Sequence, residues 1–267
     1  MIPRDPLRRH HVTIEGNPRA ARTMIFAHGF GSDQTVWESV ASAFRADFRI
    51  VRYDHAGAGR SDPAAFVQYR YLKLGAYAQD LIEICEALEI ENAVFVGHSM
   101  GAMAGLLAAV EWPSLFERLV LIGASPRYLN DDGYVGGFGP RDLEAIYRAM
   151  HDNFARWADG FAPEMIGPGR PREQVDHFAE CLKSIPPDRA LTIAYAVFQS
   201  DHRAELERLA RPALLIQTQT DRAVPMEVAR YLNDRLRGSR LVVVDAVGHL
   251  PHVTAPDAVV AAIRGFV

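Results

Sequence analysis

Short apolar runs alternate along this chain with longer segments whose apolar positions repeat at helical spacing. Several runs are apolar at consecutive positions, which is typical of strands buried on both faces of a parallel sheet. Residues 77–88, 102–111 and 227–236 carry the spacing of helices. The strand candidates are HVTI, TMIFAH, FRIVRYD, NAVFVGH, RLVLIGA, ALLIQT and LVVVDA. This alternation predicts an α/β fold, with a mostly parallel sheet flanked by helices.

One segment interrupts the alternation. Residues 126–195 contain only helical patterns, which are separated by Gly and Pro in GPGRP and IPPDR and are rich in aromatic residues. We predict that this segment is a helical cap inserted into a core made of residues 1–125 and 196–267. Ligands of open α/β sheets bind beyond the carboxyl ends of the strands, so the cap is expected to cover the site.

Composition and charge narrow the classes of function. The chain has 267 residues, of which 49% are hydrophobic and 23% charged, as in ordinary globular proteins. A net charge of −4 and the lack of a Lys/Arg run give no sign of nucleic-acid binding. No apolar stretch reaches the ~18 residues of a membrane span, and no secretory signal is visible, so we expect a cytoplasmic protein. The basic cluster Arg4, Arg8, Arg9, His10 and His11 is interpreted as a solvated chain end.

No pattern in the sequence predicts a metal or a cofactor. Cys85 and Cys181 form neither a zinc spacing nor a disulfide framework. The glycines of residues 54–62 lack the third glycine and the βαβ context of a dinucleotide fingerprint, so a structural turn is favoured.

The pentapeptide Gly97-His98-Ser99-Met100-Gly101 stands between a predicted strand and a predicted helix. This is the setting of a G-x-S-x-G nucleophile elbow, in which glycines permit a tight turn that lifts the serine hydroxyl into the pocket. We therefore predict that Ser99 is a nucleophile. His98 points away from its neighbour on such a turn and is interpreted as a packing or supporting residue.

A serine nucleophile needs a base and an acid that orients the base, in the chain order Ser, Asp or Glu, His. His249 follows a glycine after the last strand and is the predicted base, with His252 as its rival. Asp221 follows the carboxyl end of the preceding strand and is the predicted acid. Two alternatives are weighed for the acid: Asp245, which lies at a strand end, and Asp201, which is typical of a helix N-cap.

Hydrolysis also needs hydrogen-bond donors for the oxygen that becomes negative. The backbone amide of Met100, directly after the nucleophile, is one predicted donor. The amide of Phe30, in the segment His28-Gly29-Phe30-Gly31 after an early strand, is the other. His28 is interpreted as a residue that braces this loop.

Several longer strings resemble the RsbQ family of α/β-hydrolases, which includes the bacterial stress regulator RsbQ and the plant karrikin and strigolactone receptors. The similarity runs over nearly the whole chain, including the predicted cap. The strings are HGFGSDQTVW (28–37), ASPRYLND (124–131), YVGGF (134–138), FAP (161–163), FQSD (198–201) and GHLPH (248–252).

The resemblance implies a cap of four helices in two V-shaped pairs above a deep apolar pocket, with Ser99, Asp221 and His249 as the triad. From the sequence alone, the aromatic residues of this pocket are better explained as core-forming than as pocket-lining. The pocket walls that the resemblance implies are Phe30, Tyr128, Phe138, Phe161, Phe178 and Phe198. A pocket this apolar would admit a small, weakly polar ligand.

Two functions follow as expectations. The first is a cofactor-free serine hydrolase that cleaves a small apolar ester or lactone. The second is a ligand-responsive signalling protein that binds and slowly hydrolyses a small molecule, and whose cap engages a regulatory partner such as a stress-pathway phosphatase. Members known mainly as receptors tend to carry a second serine where this chain has Gly101, and this departure favours turnover.

Overall fold

The computed structural model of the protein describes residues 5–267. Seven strands form one sheet in the order β1-β3-β2-β4-β5-β6-β7, in which β1 is antiparallel to β3 and every other pair is parallel. The strands are β1 Thr13–Gly16, β2 Thr23–Ala27, β3 Arg49–Tyr53, β4 Ala93–His98, β5 Phe116–Ile122, β6 Ala213–Thr220 and β7 Arg240–Val247. The seven predicted strands and the mostly parallel sheet are confirmed.

Helices cover both faces of the sheet. They are α1 Pro6–Arg9, α2 Glu38–Ser42, α3 Gly75–Ala87, α4 Met100–Glu111, α5 Pro140–Asp152, α6 Phe154–Ile166, α7 Arg172–Lys183, α8 Pro187–Phe198, α9 Met226–Arg235, α10 Pro251–Thr254 and α11 Pro256–Arg264. Apolar side chains form one cluster between one sheet face and helices α3 and α4, and this cluster continues into α5–α8. A second cluster packs α2 and α11 against the other face. Strand β4 is buried along its whole length, so it forms the centre of the core.

Helices α5–α8 follow one another between β5 and β6. At the start of α5, a carboxylate oxygen of Asp142 accepts a hydrogen bond from the Gly139 amide (2.7 Å). At the start of α6, the side-chain oxygen of the N-cap residue Asn153 accepts from the Arg156 amide (3.0 Å). Helix α6 packs against α5 and α7, and α8 packs against α5. We propose that these four helices act as the cap. The last of them ends at Phe198, three residues beyond the predicted boundary of 195.

The interpretation of the N-terminal basic cluster as solvated is wrong for two of its members. Arg9 is only 7% exposed, and His10 is fully buried. Arg9 pairs with Glu83, and Nε2 of His10 lies 3.6 Å from a carboxylate oxygen of Asp80 on α3. The carboxylates that attract these side chains are distant in sequence, which is why local composition did not reveal them. Arg4 lies outside the described residues.

Candidate active site

Ser99 occupies the turn between β4 and α4. Its backbone has φ 52° and ψ −117°, a region that L-residues rarely adopt and that is found where function requires strain. Two neighbouring glycines make the turn possible. A β-carbon at Gly97 would lie 2.6 Å from Cα of Ala102, and one at Gly101 would lie 2.4 Å from the carbonyl oxygen of His28. The predicted strand–turn–helix setting of the serine is therefore present.

The structure brings the side chains of His249 and Asp221 together. His249 Nδ1 lies 2.7 Å from Asp221 Oδ2, and both side chains are nearly inaccessible to solvent. Because a carboxylate only accepts hydrogen bonds, Nδ1 of His249 is the donor, which leaves Nε2 of the neutral ring with a free lone pair. That is the state in which an imidazole can act as a base.

Local hydrogen bonds fix the orientation of the Asp221 carboxylate. Its Oδ1 accepts from the amides of Ala223 (2.8 Å) and Val224 (3.0 Å), so Oδ2 is turned toward His249. The amide side chain of Gln217 also donates to Oδ2, at 3.2 Å.

Neither alternative acid reaches the site in this way. Asp245 is exposed on β7, and Asp201 pairs with Arg127 and Arg203.

The hydroxyl of Ser99 makes its side-chain hydrogen bond with the hydroxyl of Tyr128, at 3.3 Å. Within residues 5–267 it makes none with His249, although both residues line one cavity. Hydrogen bonds between a nucleophile and its base are often long before substrate binds and shorten in the complex. The contact with Tyr128 was not predicted, because the resemblance implied only a place in the pocket wall for this tyrosine.

The two predicted oxyanion donors lie on loops that contact each other. A β-carbon at Gly29 would lie 2.5 Å from Nδ1 of His98 and 3.2 Å from Cβ of Ser99, so the loop carrying Phe30 packs directly on the elbow. In the described part of the chain, neither the Phe30 amide nor the Met100 amide donates a hydrogen bond to another protein group. Both amides are therefore free to bind an oxygen beside the nucleophile.

Buried histidines brace these loops. Nδ1 of His28 bonds the Gly29 carbonyl (2.8 Å), while its Nε2 accepts from the His55 amide (3.0 Å), in agreement with the predicted bracing role. Nε2 of His98 donates to the carbonyl oxygen of His249 at 2.8 Å, which ties the elbow to the loop of the base. Burial holds the pKa of His98 well below its usual value, so this ring stays neutral.

His252 is not suited to act as the base. Its ring stacks on Trp37 with 4.4 Å between centroids, and it is fully buried. Burial lowers the pKa of His252 to about 3, so it remains neutral near neutral pH.

An apolar cavity, which we call the inner chamber, touches both Ser99 and His249. Five of the six predicted wall residues line it, namely Phe30, Tyr128, Phe161, Phe178 and Phe198. The sixth, Phe138, does not line the inner chamber. Its ring packs against that of Phe198, at 5.6 Å between centroids, and lines an outer groove.

Sequence reasoning missed further wall residues, including Met165 and Leu250. Met165 stands four positions after Phe161 on α6 and therefore shares its helix face, which was a signal available in the sequence.

Three further observations concern the glycine-containing stretch, metal-binding clusters and membrane spans. Asp54 accepts hydrogen bonds from the amides of Gln34 (2.9 Å) and Arg60 (2.8 Å), which shows that the glycine-containing stretch is a structural turn. Across residues 5–267, no three His, Cys, Asp or Glu side chains converge on a point that would hold a metal ion. None of the helices described above is both long and apolar enough to cross a bilayer.

The sheet order, the elbow and the acid–base pair define the α/β-hydrolase architecture. A model of the alpha/beta hydrolase family matches residues 24–262, and the chain belongs to that family.

The chain is 40% identical over 252 residues to the karrikin insensitive 2 receptor CA of Petunia hybrida, covering 94% of this chain and 93% of that protein. It is 41% identical over 236 residues to the strigolactone esterase D14 of Arabidopsis thaliana, covering 88% of each. A hydrolase from Oleispira antarctica has a similar structure, with a TM-score of 0.95, 31% identity and coverage of 98% and 96%. The predicted resemblance to the karrikin and strigolactone receptor group is confirmed.

Proposed function

We propose that this protein is a serine hydrolase that cleaves a small apolar carboxylic ester or lactone through an acyl-enzyme on Ser99. The observation that carries the proposal is the His249–Asp221 pair, at 2.7 Å, on the same chamber as a serine in a strained elbow. The apolar chamber supports a weakly polar substrate rather than a charged one. The similarity to a protein named as an esterase agrees with this chemistry.

In the first half of the reaction, the Ser99 oxygen forms a bond to the substrate carbonyl carbon while Nε2 of His249 takes the hydroxyl proton. Asp221 holds Nδ1–H and stabilises the imidazolium. The carbonyl oxygen becomes an oxyanion beside the amides of Phe30 and Met100, and donors of this kind are worth about 3–4 kcal/mol each. When the intermediate collapses, the carbon–oxygen bond to the leaving group breaks and His249 returns the proton to the departing alkoxide.

In the second half, His249 takes a proton from a water molecule, whose oxygen attacks the acyl carbon. The second tetrahedral intermediate uses the same two amides. Its collapse breaks the bond to Ser99, and His249 returns the proton to the serine oxygen. The products are a carboxylic acid and an alcohol, or one hydroxy acid from a lactone.

Labelling with a fluorophosphonate probe tests the proposal, because this reagent requires an activated serine. We expect mass spectrometry to find one adduct, on Ser99, and we expect p-nitrophenyl acetate to be hydrolysed. S99A should bind no probe and show no turnover while keeping the circular dichroism spectrum of the wild type. Turnover at the wild-type rate by folded S99A would refute the mechanism.

A second function, ligand-dependent signalling, is supported by the similarity to a protein named as a receptor. In this function the small molecule, bound and slowly hydrolysed at Ser99, changes the surface of α5–α8 that a regulatory protein contacts. Gly101 favours turnover as the main role. Affinity capture from cells with wild-type protein and S99A, each with and without ligand, would test the second function. A partner gained or lost only with ligand supports it, and no ligand-dependent partner counts against it.

A further inference from the structure

Two cavities meet at one wall, which is formed by helix α6. The inner chamber, which touches Ser99, has a volume of about 20 Å³. The outer groove, which runs between α5 and α6 to the Asp221 loop, has a volume of about 950 Å³. In the described chain, the residues that line both cavities are Phe161 and Met165. These two side chains therefore separate the nucleophile from the larger space outside.

The two spaces fit different parts of a substrate. A volume of about 20 Å³ is enough for roughly one water molecule, which is less than an acyl group occupies. A substrate must therefore push back part of the wall before its carbonyl reaches Ser99. The outer groove is large enough for a bulky group and has charged side chains at its rim, namely Asp142, Asp152, Arg156, Glu164 and Arg222.

Hydrogen bonding identifies which part of the wall can move. The carbonyl oxygen of Met165 accepts from the amide of His249 at 2.6 Å, so a shift of this helix end would displace the base. The ring of Phe161 is stacked on Trp157, with 4.9 Å between centroids. The Met165 side chain is unbranched and has three rotatable bonds, so it can change rotamer while its backbone stays in place.

We propose that Met165 limits the length of the acyl group that the site accepts, and that the preferred substrates are esters of a short acyl group with a larger alcohol. This inference rests on the proposed function. The alcohol must leave before water can attack the acyl-enzyme, and the groove is the open side of the site. The alcohol therefore lies in the outer groove, and the acyl group lies in the inner chamber against Met165.

The experiment compares two substrate series on the wild type and on M165A. One series keeps p-nitrophenol and lengthens the acyl group from acetate to hexanoate, and the other keeps acetate and enlarges the alcohol from p-nitrophenol to naphthol. For the wild type we expect kcat/KM to fall at least about tenfold along the first series and to change little along the second. In M165A the hexanoate-to-acetate ratio should rise by about tenfold or more.

M150A is the matched control. Met150 is a buried methionine on α5 that lines neither cavity, so its truncation weakens the cap without altering the wall. If M165A fails to fold, M165V removes less volume and should shift the ratio in the same direction.

Three outcomes would overturn the inference while leaving the hydrolase function intact: equal use of hexanoate and acetate by the wild type, an unchanged ratio in a folded Met165 variant, or the same shift in M150A. Failure of the wild type to react with the fluorophosphonate probe would instead reject the proposed function itself.

Discussion

The imidazole of His249 lies against the backbone of Gly123, at the end of β5. A β-carbon at Gly123 would lie 3.1 Å from Cε1 and 3.2 Å from Nδ1 of this ring. The glycine also has φ 56°, which disfavours other residues. The His249 imidazole is therefore held by the Asp221 carboxylate at Nδ1 and by the main chain of Gly123 against its ring.

Replacing Gly123 by alanine should displace the imidazole by a few tenths of an ångström. We expect kcat to fall by on the order of tenfold, because a small displacement of a catalytic group strongly lowers the reaction rate. Gly133 is a matched control, since it also has positive φ (71°) but has no neighbour within 4 Å of an added β-carbon. Both variants incur about 1–2 kcal/mol of backbone strain, so thermal melting should fall in both. Equal activity losses in G123A and G133A would contradict the positioning role.

Replacing Asp221 by asparagine should leave the fold intact and lower kcat by about 10²–10⁴-fold. The asparagine amide can donate to Nδ1 of His249, which moves the ring proton to Nε2 and removes the free lone pair. Steady-state hydrolysis of p-nitrophenyl acetate and the rate of fluorophosphonate labelling should fall together. D245N changes the exposed aspartate of β7 that was the alternative acid, and it should match the wild type in both measurements. A comparable loss in D245N would argue against the assignment of the acid.

Tyr128 should contribute to catalysis through its hydroxyl group. This group lies 3.3 Å from the Ser99 oxygen, close enough to donate to charge that develops beside it. Burial raises the pKa of Tyr128 well above its usual value, so the hydroxyl keeps its proton and remains a donor. Y128F should therefore lower kcat by about tenfold, the effect of one lost hydrogen bond, with little change in KM.

Y134F is the control for Y128F, because the hydroxyl of Tyr134 bonds the carbonyl of Arg127 (2.8 Å) outside the chamber. Y134F should lower the stability of the protein and leave kcat unchanged. A kcat for Y128F equal to that of the wild type would show that the Tyr128 hydroxyl is only part of the wall.

The buried carboxylate of Asp80 should make folding sensitive to acid. Burial by itself would raise the pKa of Asp80, but the nearby His10, whose Nε2 lies 3.6 Å away, and the charge of Arg70, whose Nη2 lies 2.6 Å away, outweigh burial and hold it below the usual value. A carboxyl whose folded pKa is lowered stabilises the folded state above its unfolded pKa, and this contribution is lost as the pH falls through the folded value.

D80N should therefore destabilise the protein near neutral pH, by about 1–3 kcal/mol, because Arg9 and Arg70 lose a buried carboxylate partner while both keep Glu83. Urea denaturation at about pH 7 and at about pH 4 measures the effect. The difference in free energy of unfolding between wild type and D80N should be smaller at the acidic pH. A difference that does not depend on pH would contradict this account.

The features that the sequence predicted correctly were local patterns with a fixed geometric meaning. Apolar runs identified all seven strands, and the order of strand, glycine-flanked Ser99 and helix identified the elbow. The positions of His249 and Asp221 followed from the rule that loops at the carboxyl ends of neighbouring strands meet.

The features that were missed depend on contacts between distant segments. Nothing near Arg9 or His10 in the sequence indicates that α3 supplies carboxylates to them. The partner of the Ser99 hydroxyl depends on how the segment after β5 folds over the elbow. The place of Phe138 depends on which of two neighbouring aromatic rings is nearer to the chamber.

The central place of β4 has a consequence for motion. This strand lies between β2 and β5, and each of its six residues is buried, so its amides should exchange with solvent only when the whole molecule unfolds. Helices α5–α8 lie outside the sheet and can open in smaller excursions. The proposed chemistry therefore depends on a strand that opens rarely, whereas the proposed substrate preference depends on helices that open more readily. Substitutions in α5–α8 could change the substrate preference while leaving the Ser99 turn unchanged.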